Sequence, residues 1–187
     1  MKYTVFNEEV LFTTEAVSRV TGRDVECLKS LAMKNTRQRI RLCAHPAVED
    51  TLHEMIIVLP KGAYVRPHRH LAKSESFHII EGRLNVLMFG DDGVVRSVLK
   101  MDQTGPDETF FYRLSESAYH TVMPQSPWVV FHEATNGPFN REDTVYATWA
   151  PDDNDQNSVK AYMEKLAKVS CPAEKGSSEQ ECVRLSK

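Results

Sequence analysis

A chain of 187 residues, 41% hydrophobic and 26% charged, has the composition of one ordinary globular domain, and at that length it folds without needing a structural disulfide or metal. Its formal net charge of −3 argues against nucleic-acid or anionic-lipid binding, which needs a concentrated basic face. No apolar run approaches the roughly 20 residues of a membrane-spanning helix, and Glu8 and Glu9 interrupt the opening MKYTVFNEEVLF where a signal peptide needs hydrophobicity, so a cytoplasmic protein is expected.

The first periodic segment is DVECLKSLAMKN, which places Val25, Leu28, Leu31 and Ala32 on one helical stripe with Asp24 available as N-cap. Residues 1–36 therefore read as an N-terminal arm and helix. The period then changes: Arg39 to Cys43 alternates as a strand, with the arginines on one face and Ile40 and Leu42 on the other. Further strands are expected at 53–59, 64–70, 76–80, 83–89, 94–99, 109–113, 119–123, 129–134 and 144–149. Turn residues such as Pro60-Lys61-Gly62, Glu81-Gly82 and Asn136-Gly137-Pro138 separate them.

Short strands without intervening helices favour an antiparallel sandwich or barrel over 37–151. Beyond Pro151, the run SVKAYMEKLAKV puts Val159, Tyr162, Met163, Leu166 and Val169 on a helical face capped by Ser158, a helical extension over 152–170. Residues 171–187 are polar and are expected to stay mobile unless a partner orders them. The four cysteines share no CxxC spacing: Cys27 and Cys43 read as small core residues, and Cys171 and Cys182 lie in the polar tail with nothing that demands a bond.

The chemistry concentrates in Gly62-Ala-Tyr-Val-Arg-Pro-His68-Arg-His70-Leu-Ala-Lys-Ser-Glu75 and its continuation to Gly82. On a strand, His68 and His70 emerge on one face while Arg69 points away, which is ligand spacing. The four residues before Glu75 can reverse the chain and return its carboxylate beside the imidazoles from a neighbouring strand, so that three donors converge on one cation. Alternation also sends Arg66 and Tyr64 to the presumed inward face, where an arginine needs an acid or a ligand as partner. Arg39, Arg41, Arg66 and Lys73 are candidates to ring the barrel mouth and hold a carboxylate or phosphate, with solvated, acid-paired strand residues the equal alternative for Arg39 and Arg41. His78 falls on the face opposite Glu75 and reads as structural or interfacial, His132 reads as a hydrogen-bonded core group, and nothing selects a role for His45 or His53.

The register GxxxxxHxHxxxxExxxxxxG is matched at every specified position and resembles the first motif of the cupin superfamily. That resemblance implies a double-stranded β-helix, a jelly-roll barrel with a metal inside, here carrying an N-terminal and a C-terminal helix. It also implies a further histidine from a later strand, for which the counterpart is His120 in Ser117-Ala-Tyr-His120-Thr-Val-Met-Pro124, a segment without the proline, glycine and asparagine of the second motif. The implied ligands are His68, His70, Glu75 and His120 around one divalent ion of Zn, Fe, Mn, Ni or Cu, among which the donors do not choose.

The runs FNEEVLFT, RIRLCAH, LHEMIIVL, YVRPHRHLAKSESFHIIEG, GPF and the closing WAP are similar to the WbuC family of cupin-fold metalloproteins over about residues 3–151. The likeness implies a setting in bacterial O-antigen and lipopolysaccharide metabolism, a small-molecule ligand of the saccharide kind, and a homodimer formed through sheets and N-terminal segments. Three classes follow. The first is a metal-dependent sugar isomerase or epimerase, with Glu75 or Tyr64 as base and Arg66, Lys73 and Tyr64 as substrate contacts. The second is an iron-dependent dioxygenase, and the third a non-catalytic binder of a metal or small molecule.

Overall fold

A computed structural model describes residues 1–170, so the expectations for the tail at 171–187 and for Cys171 and Cys182 lie outside the described residues. In chain order the elements are β1 (Tyr3–Asn7), β2 (Val10–Thr13), α1 (Gly22–Ala32), β3 (Ile40–Cys43), β4 (Leu52–Pro60), β5 (His68–His70), β6 (Glu75–Glu81), β7 (Leu84–Phe89), β8 (Val95–Met101), β9 (Phe111–Leu114), β10 (Tyr119–Pro124), β11 (Trp128–Asn136), β12 (Thr144–Tyr146) and α2 (Gln156–Ser170). A seven-stranded sheet in the order β1-β2-β3-β4-β11-β6-β9 faces a five-stranded sheet in the order β12-β5-β10-β7-β8. The mainly β, jelly-roll expectation with one helix at each end holds. No helix among the described residues is long and apolar enough to cross a membrane.

The two sheets bury Leu59, Phe77, Ile79, Leu84, Val86, Val122 and Phe131 between them. These residues alternate with exposed neighbours such as His78 and Ile80, as a half-buried strand requires. The cavity opens directly on this packing, with Leu59, Phe77, Val122 and Phe131 shared between core and cavity wall. The connection from β6 in the seven-stranded sheet to β7 in the five-stranded sheet turns at Gly82, whose φ of +81° suits glycine, and a Cβ there would collide with the Trp128 carbonyl and Ser126 Oγ.

Both helices cover outer faces. α1 lays Val25, Leu28 and Ala32 on Leu11, Ile40, Leu42, Val58 and Val130. α2 seats Leu166, flanked by Tyr162 and Met163, on Leu87, Phe89 and Met123. Helix starts differ from the sequence reading. The N-cap of α1 is Thr21, and Asp24 sits three residues later, its carboxylate accepting from Thr21 N at 2.8 Å to complete a capping box. At α2 the cap is supplied by Asp155, whose carboxylate accepts from Ser158 N at 3.1 Å and from Ser158 Oγ at 2.6 Å, so Ser158 donates where it was expected to cap.

Other differences share a cause in tertiary pairing. Residues 1–36 contribute β1 and β2 as well as the helix, and β2 pairs in parallel with β3, a long-range partnership that local periodicity does not announce. Cys27 is exposed because it falls off the apolar stripe, whereas Cys43 is buried. Val169 at the end of α2 is 44% exposed. The strand expected over 64–70 contracts to β5 because Pro67 has no N–H to donate to the ladder.

Candidate metal centre

Three histidines meet on the five-stranded sheet. His68 and His70 stand on β5, and β10 pairs beside it with His120 directly opposite His68. One ring nitrogen from each lies within 4.8 Å of the other two. Arg69 points to the opposite face, 3.3 Å from Asp91 and over the Tyr119 ring, as alternation demands. Glu75 arrives from the other sheet. Both edges of β5 are taken, by β10 and β12, so the four residues after His70 cross to the seven-stranded sheet, where β6 pairs with β11 and β9. This corrects the reading of a return on a neighbouring strand; the carboxylate faces the imidazoles across the barrel.

The hydrogen bonds behind the rings set what they offer in front. His68 Nδ1 lies 2.9 Å from the Arg66 carbonyl oxygen, and His120 Nδ1 lies 3.0 Å from that of Ala118. A carbonyl only accepts, so in the neutral rings Nδ1 carries the proton and Nε2 presents a lone pair to the cavity. His70 Nδ1 is held 3.3 Å from Thr144 Oγ1. His120 Nε2 then lies 2.8 Å from Glu75 Oε1, and His70 Nε2 lies 3.4 Å from Oε2. Glu75 and His120 are 3% and 1% exposed, and Glu75 Oε1 has no hydrogen-bond partner among the described residues. Two buried acceptors at that separation need a proton or a cation between them.

The electrostatics agree. Burial, reinforced by the neighbouring His120 and His70, pushes His68 down to about 3, so its ring stays a neutral donor. Burial would raise Glu75, but His120 and His70 outweigh it and hold the carboxyl well below the usual range. Burial likewise opposes charge on His120, and Glu75 overrides it to raise the imidazole. Three imidazole nitrogens beside one carboxylate suit a divalent transition ion of borderline softness, and the facing Glu75 and His120 acceptors fit such a group.

The residues expected around the mouth divide. A cavity of about 280 Å3 adjoins the histidines and is lined by Arg39, Arg41, Arg66 and Lys73, though not by Tyr64. Tyr64 instead donates to the Pro151 carbonyl at 2.9 Å and sets its ring edge-on to Tyr162, because the segment before Pro67 is not a strand and its alternation does not carry back. Arg66 pairs with Asp152 at 2.8 Å and lies over the Tyr146 ring, and Lys73 pairs with Asp143 at 3.0 Å. Arg39 pairs with Glu9 at 3.0 Å. His78 is exposed beside Phe110. His132 faces outward, 3.6 Å from Glu54, rather than into the core, because Phe131 and Glu133 take the inward positions of β11. His45 and His53 are both buried and stack at 4.0 Å, 7° from parallel.

Sequence reasoning passed over Glu133. It lines the cavity on β11, one strand from Glu75 on the same inward face. Burial, together with the charge of Glu75 and against the pull of Arg41 and His120, pushes its carboxyl up to about 8. The signal was an acid at an inward register position, in step with Val129 and Phe131.

The model of a domain of unknown function, DUF6016, matches residues 20–101, a stretch holding His68, His70 and Glu75. No curated protein matches the chain. Among solved structures, a structural-genomics target from Shewanella oneidensis is similar with 11% identity and a TM-score of 0.46, over 55% of this chain and 66% of that one. A cupin superfamily protein from Desulfitobacterium hafniense has 10% identity and a TM-score of 0.43, over 58% and 86%. L-ribose isomerase from Cellulomonas parahominis has 14% identity and a TM-score of 0.46, over 62% and 72%. The chain spans just under two thirds of the Shewanella protein, at 66% of its length.

Proposed function

We propose that this chain is a metal-binding cupin of the WbuC type, whose cavity binds and acts on a sugar or related metabolite of bacterial surface-polysaccharide metabolism. The observation that carries the reading is the facing pair of buried acceptors, Glu75 Oε1 and His120 Nε2 at 2.8 Å, with His68 and His70 alongside. His68, His70, His120 and Glu75 would hold one divalent ion, and a bound ion would polarise a hydroxyl or carbonyl oxygen of the ligand. Glu133, on the same cavity wall, is placed to exchange a proton with that ligand and replaces Tyr64 as the candidate base. Arg66 and Lys73 border the mouth and orient what enters. Val5 and Phe6, each 66% exposed on the edge strand β1, support the expectation of a homodimer.

Elemental analysis of protein purified without chelator or affinity tag tests the centre. Close to one transition metal per chain is expected. The His68→Ala, His70→Ala double variant should lose that metal while keeping its fold, since a core of this size does not rely on the ion. Folded protein that neither contains nor takes up Zn, Fe, Mn, Ni or Cu would defeat the reading. Iron with oxygen consumption would move the function to the dioxygenase class.

A further inference from the structure

We propose that the ligand of this cavity is a carboxylic acid and that Arg41 binds its carboxylate. The inference deepens the metal-dependent reading, on which it rests for the opposite end of the ligand. Arg39, Arg66 and Lys73 are each neutralised by an acid: Glu9 at 3.0 Å, Asp152 at 2.8 Å and Asp143 at 3.0 Å. Arg41 differs. It is half-buried and lines the cavity, yet forms no salt bridge among the described residues: its Nη1 meets Met55 Sδ at 4.0 Å, and Glu133, the cavity acid that feels its charge, makes no ion-pair contact with it. A guanidinium withdrawn from water without a counter-ion is costly unless an anion arrives with the ligand.

Strand register places that anion relative to the metal centre. Arg41 touches Met55, Met55 pairs with Glu133 across β4 and β11, and Glu133 pairs with Phe77, two residues beyond Glu75 on β6. The cavity wall therefore runs from Arg41 past Glu133 to Glu75. Two strand spacings and one two-residue step separate Met55 from Glu75, on the order of 12 Å between Cα atoms. With side chains reaching inward from both ends, the gap suits a chain of about five or six carbons that carries hydroxyls toward the histidines and an acid toward Arg41. One planar fork matches one carboxylate through two parallel hydrogen bonds. A phosphate dianion would call for a second unpaired interior cation, and Arg141, which also lines the cavity, stands exposed at its rim. An acidic sugar of the aldonate or uronate kind meets these constraints.

The test is titration calorimetry of metal-loaded protein with D-gluconate and with neutral D-glucitol, alongside elemental analysis of each sample. Wild-type protein should bind gluconate at least tenfold more tightly than glucitol. Arg41→Gln should lose that margin while its glucitol affinity and metal content stay unchanged, and Arg141→Gln should alter gluconate binding less than twofold. Equal affinity of the wild type for the acid and the alcohol overturns the proposal, as does gluconate binding by Arg41→Gln at wild-type strength. Should Arg41→Gln fail to fold, the wild-type comparison alone decides. A protein without metal that still prefers gluconate through Arg41 would sink the metal centre and leave the anion site standing.

Discussion

Replacing Glu133 by glutamine should stabilise the metal-free protein at neutral pH while impairing the cavity. The carboxyl titrates near 4.5 in an unfolded chain and is pushed up to about 8 in the fold, first by burial and then by the charge of Glu75. Between those values the folded protein keeps a proton that the unfolded chain has released. Stability therefore falls as pH rises through this interval, by about 1.4 kcal/mol per unit. At pH 7 the accumulated cost is about 3 kcal/mol, which a neutral side chain of the same shape avoids. For a chain of this size that corresponds to a rise of roughly 6–12 °C in Tm. Urea or thermal unfolding of chelator-treated wild type and Glu133→Gln from pH 4.5 to 9 measures it. The two curves should meet near pH 4.5, separate up to about pH 8 and run parallel beyond it, and a Glu75→Gln background should shrink the gap. Curves parallel throughout from pH 4.5 to 8, or a less stable variant at pH 7, would refute the assignment of a desolvated carboxyl on the cavity wall. A bound divalent ion would favour the ionised carboxylate and narrow the difference.

The histidines make the metal-free protein sensitive to pH in both directions. His68 is lowered to about 3, so below pH 6.5 the unfolded chain takes up a proton the fold refuses, and stability drops as pH falls toward 3. His120 is raised, so its contribution is complete below pH 6.5 and fades as pH climbs through its folded value. The stability that these two rings contribute should accordingly peak near pH 6.5 in Glu133→Gln protein, and adding metal should abolish the decline on the alkaline side; a decline that persists with metal bound would contradict the ligand role of His120. Two glycines give an internal contrast in urea unfolding. Gly62→Ala meets nothing within 4 Å and incurs only its φ of +89°, about 1 kcal/mol, whereas Gly82→Ala adds a collision with Trp128 and Ser126 and should cost at least about 2 kcal/mol more. Equal losses would mean that the β6–β7 crossover at Gly82 is looser than its packing indicates.

The readable parts of this chain are those where function is written locally. His68 and His70 share a face because strand geometry forces residues two apart to do so, and one short connection fixes Glu75 relative to them. The alternation Phe77, Ile79 against His78, Ile80 is equally local and survives unchanged. What escaped depends on pairing between distant segments. β2 joins the sheet only because β3, about thirty residues later, offers a parallel edge. The direction taken by Glu75 followed from both edges of β5 being occupied by strands that come much later, β10 and β12. Tyr64 was assigned inward by extending the period of β5 back through Pro67, where the ladder stops.

Arg41 and Glu133 illustrate the same limit within the site. Each occupies an inward position; locally Arg41 reads equally as an anion contact at the mouth or as a solvated, acid-paired strand residue, and the acid goes unnoticed. Only the register β3-β4-β11-β6 sets them along one wall with Glu75. Both are disfavoured there on folding grounds, one as a cation without a partner and the other as a carboxyl forced to hold its proton. The apolar core between the sheets is large enough to tolerate them. Such residues persist against stability when a ligand supplies what the fold withholds: an anion for Arg41, and for Glu133 a group that takes or gives the proton.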